Sequence, residues 1–172
     1  IGVGLVGSEM CIRDRFKTFW YTGAARLQKT MTPDELDQLD PGFRDVGREG
    51  SEIHLNQYLD AVSERELAGT KLNTFFDNYD LLLTPTLPIT AFDAGTEVPT
   101  GSGMDRWTKW TPFSYPFNLG RHPAASIPCG LCSNGLPAGL QIVGPMNCDG
   151  QVLAASAAYE ATNPIRMPSL ED

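Results

Sequence analysis

Between Glu52 and Phe76 the apolar positions recur at three- and four-residue intervals. Leu55, Tyr58, Leu59, Val62, Leu72, Phe75 and Phe76 fall on one stripe, which predicts a long amphipathic helix. Glu64, Arg65 and Glu66 fall on its solvated side or edge. Phe16 to Leu27 reads as the tail of an earlier helix, with Phe19, Trp20 and Ala24 available for burial. Thr32-Pro33-Asp34-Glu35 starts another: Thr caps, Pro suits the first turn, and Glu three residues after the cap completes a capping box. Asp40-Pro41-Gly42 is expected to end that helix after a short run.

Beyond Tyr79-Asp80 the period changes. Leu81-Leu82-Leu83, closed by Thr84-Pro85, is a short continuous apolar run of the kind found in a strand covered on both faces of a parallel sheet. Pro88 to Trp110 has no steady period and many Gly, Pro, Ser and Thr residues, so it reads as a long ordered loop that borders a site. Pro112 to Leu119 is expected to be a short helix, and Ala124 to Cys129 and Leu136 to Val143 two strands. Ser133-Asn134-Gly135 joins them as a hairpin turn, with positive φ angles assigned to Asn-Gly. Gln151 to Ala161 is an alanine-rich helix, and the alternation of helix and strand places the chain in the α/β class.

A formal charge of -8 with no Lys/Arg cluster argues against nucleic acid or an anionic membrane as the main partner. No apolar run approaches the roughly 20 residues that a bilayer crossing needs. The front of the chain stands apart. Val6 to Arg15, VGSEMCIRDR, is what the nucleotide string of a transposase adapter used in shotgun library preparation encodes in one frame. Residues 1–15 are therefore expected to be foreign to the native protein, and Ile1 to Leu5 lacks the basic region of a secretion signal. Setting them aside leaves Cys129, Cys132 and Cys148, an odd number that favours reduced thiols in a cytoplasm.

Five segments occur in a telling order: YDLLLTPTLP, then W-T-x-W-T-P-F, then P-F-N-L-x-x-x-P-A-A-S-I-P-C-G, then G-L-P-x-G-L-Q-I-V-G-P, then D-x-x-V-L-x-A-x-x-A-Y-E. Together they resemble the amidase signature family from Phe16 to Pro164. The resemblance implies an α/β fold with a large mixed sheet flanked by helices. Residues 16–172 would be its C-terminal part, a fragment of a single domain and so incomplete in this chain. It further implies hydrolysis of carbon–nitrogen amide bonds, or transfer of the released ammonia, with no metal or organic cofactor. The family's nucleophile is a Ser, supported by a second Ser in a cis peptide and a Lys base. The base removes the hydroxyl proton, the oxygen attacks the carbonyl, and backbone N–H groups hold the oxyanion. No G-G-S-S-G string occurs here, and Lys17, Lys29, Lys71 and Lys109 lack paired serines and glycines around them. No residue of this chain inherits a catalytic role, and the chain alone is expected to be inactive.

The resemblance also bears on the substrate pocket. In the glutamine-using subunit of the family's tRNA-dependent amidotransferases, an Asp eight residues before the Leu of Asn-Leu holds the substrate's amino group. Counting back from Leu119 reaches Thr111, whose neutral hydroxyl cannot replace a carboxylate against an ammonium. This favours an amidase of small neutral or apolar amides over a glutamyl-tRNA(Gln) or aspartyl-tRNA(Asn) amidotransferase subunit, which stays the alternative. Thr111 is the expected substrate-binding position, with Trp107, Trp110 and Phe113 as an apolar wall or, equally, as core. His122 and His54 read as structural or surface histidines. A rival from another class is a zinc, redox or structural module built on Cys129-x-x-Cys132, with Cys148 and His122 completing a tetrahedral set. A lone C-x-x-C that runs into a turn instead of opening a helix is weak support for it. The expected setting is bacterial cytoplasm, and the full-length parent is expected to be a homodimer.

Overall fold

The computed structural model describes residues 9–164, so residues 1–8 of the front segment lie outside it. The fold comprises two compact units, one ending at Leu67 and the other beginning at Ala68.

The first unit is helical. Helix α1 (Glu9–Gln28) is followed by α2 (Pro33–Asp37), α3 (Pro41–Ser51) and the first part of α4 (Leu55–Phe76). The capping box at α2 forms as expected: Thr32 Oγ1 accepts from the Glu35 N–H, and the Glu35 carboxylate accepts from the Thr32 N–H at 2.7 Å. Asp40-Pro41-Gly42 does more than stop α2. Asp40 accepts from the Phe43 N–H at 3.0 Å and Pro41 occupies the first turn, so the same residues start α3. Helix α3 packs on α1 through Tyr21, Ala24 and Val46, with Phe43 and Ile53 against them. The approach is close enough that a Cβ on Gly50 would lie 1.9 Å from the Tyr21 carbonyl oxygen. Gln28 Nε2 donates to the Phe43 carbonyl across the same contact at 2.7 Å.

Two burial expectations change. Trp20 is 49% exposed, and the buried aromatic of α1 is Tyr21 on the next position round the helix. On α4 the stripe is buried at Leu72, whereas Leu55 and Leu59 are 70% and 50% exposed and Ala61 is the buried residue of the first half. Glu64 and Arg65 lie at the helix edge: Glu64 takes two hydrogen bonds from Arg15 at 2.5 and 2.6 Å, and Arg65 stacks 5.1 Å from the Phe19 ring centre.

The second unit contains the end of α4, a three-stranded sheet and helices α5 (Tyr115–Gly120) and α6 (Asp149–Thr162). Strands β1 (Leu82–Pro85), β2 (Ala124–Leu131) and β3 (Pro137–Val143) are arranged β1-β3-β2, and both pairings are antiparallel. The parallel setting expected for the leucine run is therefore corrected. Leu83 is 57% exposed, and among the described residues β1 pairs with β3 alone. Helix α6 covers one sheet face through Val152, against Ile127 and Ile142, with Leu81, Leu140 and Tyr159 around them.

The β2–β3 hairpin departs from the expected two-residue turn. Gly135 alone has positive φ (78°), the Gly135 N–H donates to the Cys132 carbonyl, and the Cys132 N–H donates to the Leu136 carbonyl. This is a three-residue loop with Gly in the left-handed region. Just before it, Pro128 faces Gly139 while Leu131 faces Pro137. Three steps on β2 against two on β3 define a bulge, and Gly130 accommodates it at φ 122°.

Candidate functional site

A cleft of about 960 Å³ opens in the second unit where β1 runs into the segment 86–92, across the ends of β2 and β3. Its polar feature is a pair of hydroxyls: Thr86 Oγ1 and Ser126 Oγ lie 2.7 Å apart beside Gly139. The glycine is required there, since a Cβ would meet Thr86 Oγ1 at 2.7 Å. The Gln141 amide, buried on β3, donates to Thr84 Oγ1 at 2.8 Å and to the Phe113 carbonyl at 3.2 Å, which ties β1 and the 107–114 segment to the central strand. Asn134 Nδ2 donates to Thr90 Oγ1 at 3.1 Å, linking the hairpin loop to the 86–92 segment. Trp110 lines the cleft, its indole N–H donating to the Glu97 carbonyl at 3.0 Å and its ring meeting Phe92 edge-on at 5.4 Å.

Of the four residues expected at the substrate, Trp110 lines this cleft, and Thr111, Trp107 and Phe113 are not among its lining residues. Thr111 Oγ1 hydrogen-bonds the Tyr115 hydroxyl and lies 3.3 Å from the Trp107 carbonyl. Tyr115 is buried and donates to the Thr108 carbonyl at 2.9 Å, so Thr111 and Trp107 brace the start of α5. Phe113 contributes its carbonyl to Gln141. Sequence reasoning missed Thr86, Ser126, Gly139 and Phe92. The available signal was the Thr-Pro-Thr of the TPTLP segment, whose second Thr lies just past the strand end.

His122 is buried, as expected of a structural histidine. Its ring stacks on Phe76 with centres 5.3 Å apart, and Nε2 lies 3.1 Å from Asn73 Oδ1. Burial lowers its pKa below the ordinary 6.5, partly offset by the Gly120 backbone. The tetrahedral set considered for zinc does not assemble: among the described residues no three His, Cys, Asp or Glu side chains come together around a metal-sized space. Cys129 and Cys132 instead both line the cleft as free thiols, and Cys129 Sγ lies 3.5 Å from the Ala138 carbonyl. No described helix is long and apolar enough to cross a membrane.

Comparison with known proteins supplies the frame for this geometry. The family model described as Amidase matches residues 23–153. The glutamyl-tRNA(Gln) amidotransferase protein of Brevibacillus brevis that forms the first of that enzyme's subunits is 42% identical over 105 residues, covering 61% of this chain and 21% of that protein. The chain thus matches about a fifth of the length of such relatives. Among solved structures, an amidase superposes with a TM-score of 0.80 at 28% identity, covering 95% of this chain and 37% of its own. A bacterial aryl acylamidase of the amidase signature enzymes superposes with a TM-score of 0.73 at 26% identity, covering 95% and 36%. The α/β arrangement, with its small antiparallel sheet and flanking helices, is that of the matching portion of these enzymes, and the chain belongs to the amidase signature family.

Proposed function

We propose that this chain is the C-terminal part of an amidase that hydrolyses carbon–nitrogen amide bonds of small molecules, with its Ser, cis-Ser and Lys supplied by sequence outside these residues. The observation that carries the reading is the family match over residues 23–153, together with superposition on an amidase of which the chain covers 37%. In the parent, a lysine base takes the serine proton, the alkoxide attacks the amide carbonyl and backbone N–H groups stabilise the oxyanion. This chain contributes a wall of the substrate site and none of the reacting groups, so by itself it is inactive. Trp110 is the wall residue at the cleft, with Thr111, Trp107 and Phe113 shaping it from behind through Tyr115 and Gln141. Residues 1–15 belong to a foreign adapter, 16–172 to the native domain, and the parent works as a homodimer in a bacterial cytoplasm.

The amidotransferase subunit is the second reading, favoured by the 42% identity to the Brevibacillus protein. Thr111 weighs against it, because a neutral hydroxyl engaged with Tyr115 offers no carboxylate to an amino group. Sequencing the native locus upstream of the Phe16 codon, from template never exposed to a transposase library, tests both. A reading frame that continues into a lysine and a G-G-S-S-G-like segment is expected. The encoded enzyme should then release ammonia from neutral amides and lose that activity on Ser→Ala substitution in the segment. A native frame without the segment overturns the amidase reading, and release of ammonia from glutamine alone replaces it with the amidotransferase.

A further inference from the structure

We infer that the cleft between the 86–92 segment and the β2–β3 hairpin binds an uncharged amide carrying an aryl or alkyl group; the inference rests on the amidase reading and names its substrate class. None of the twenty residues that line the cleft carries a charge. Its walls are Leu83, Leu87, Ile89, Phe92, Trp110 and Leu140. A zwitterion such as glutamine would give up hydration at both charged ends there and recover no ionic partner, whereas an apolar group gains from the same transfer.

The hydroxyl pair supplies the polar half of the recognition. Thr84 is committed to Gln141, but among the described residues Thr86 and Ser126 have each other alone as side-chain partners, at 2.7 Å. One hydroxyl hydrogen is used in their mutual bond. The other stays free to donate, and lone pairs remain free to accept. An amide presents one carbonyl acceptor and one N–H donor, which is the complement of that pair. Gly139 keeps the hydroxyls accessible, since any side chain there would press on Thr86 Oγ1. The edge-on Phe92–Trp110 pair provides an aromatic surface for the apolar end.

Binding is measured on the full chain by equilibrium dialysis with four probes: acetanilide, benzoate, benzylammonium and glutamine. Circular dichroism confirms that each variant is folded. Acetanilide is expected to bind at least about tenfold more tightly than the three charged probes, a gap of about 1.4 kcal/mol. Leu87 is 40% exposed, so Leu87→Glu leaves the packing intact; it is expected to weaken acetanilide and strengthen benzylammonium until their order reverses. Thr86→Val keeps the shape, removes the hydroxyl and is expected to weaken acetanilide several-fold. No acetanilide binding, equal binding of glutamine or benzoate, or indifference to both substitutions overturns the inference. Hydrolysis by the parent is read separately. A parent that cleaves charged amides in preference sinks the substrate class and keeps the amidase, while probe binding as expected with a parent that cleaves no amide does the reverse.

Discussion

Gly50→Ala tests the packing of α3 on α1. The new Cβ would sit 1.9 Å from the Tyr21 carbonyl oxygen, 2.4 Å from its carbonyl carbon and 3.1 Å from the Thr22 nitrogen. All three are backbone atoms, so no side-chain rotation relieves the clash. Reaching ordinary contact near 3.5 Å requires the helices to retreat by roughly 1.5 Å, which loosens the Tyr21–Ala24–Val46 cluster. Overpacking of this kind costs about 1–3 kcal/mol. The intrinsic preference of Ala over Gly in a helix returns at most about 1 kcal/mol, and less at Gly50, one residue from the end of α3. A net loss of about 1–2 kcal/mol lowers Tm by roughly 2–8 °C in a chain of this size. Gly23→Ala on α1 is the control, because nothing lies within 4 Å of its Cβ position and helix preference acts alone. The two substitutions, chemically identical, should move the circular dichroism melt in opposite directions. A Gly50→Ala chain that melts at or above the unsubstituted temperature would refute the close approach.

Three further outcomes are expected. The fold holds His122 neutral, with its pKa below the ordinary 6.5, so its contribution to stability is complete above about pH 6.5 and is lost as pH falls from there toward the folded-state value, at about 1.4 kcal/mol for each unit of depression; in melts from pH 8 to 5, His122→Gln should flatten that part of the slope, and an unchanged slope would assign it to other groups. Asp40→Ala removes the cap of α3 and should cost about 1 kcal/mol in a denaturant titration; a cost near zero would mean that Pro41 alone starts the helix. A chain beginning at Phe16 loses the Arg15–Glu64 pair, in which Glu64 is 43% exposed, so it should fall in stability by no more than about 1 kcal/mol; collapse of the fold on that truncation would show residues 1–15 to be integral.

The parts of the fold that sequence revealed are those written in local chemistry. Thr32 and Glu35 satisfy each other's backbone within one turn, and Gly135 answers to the hairpin alone. Helix α3 escaped notice because its glycines depress helix preference, and their reason is α1, a partner distant in sequence. The α4 stripe was visible at the right period, yet periodicity states which residues share a face and not whether a neighbour covers it, so Leu55 and Leu59 could be expected inside and lie outside. The same limit applies to the site. Trp110 is legible from its neighbourhood and does line the cleft, whereas Thr86 and Ser126 are forty positions apart and meet only through the register of β1, β3 and β2.

The bulge at Gly130 changes how the C-x-x-C spacing must be read. In a straight strand, residues three apart point to opposite sides, so Cys129 and Cys132 would be segregated by the sheet. The extra residue resets that parity and delivers both sulfurs to the same opening. Excision of one residue, Gly130, is therefore the change that turns a pair of neighbouring thiols into two unrelated ones. Any chemistry that needs both together, from chelation of a soft ion to cross-linking by a bifunctional reagent, reports on the backbone of β2 as directly as on the cysteines.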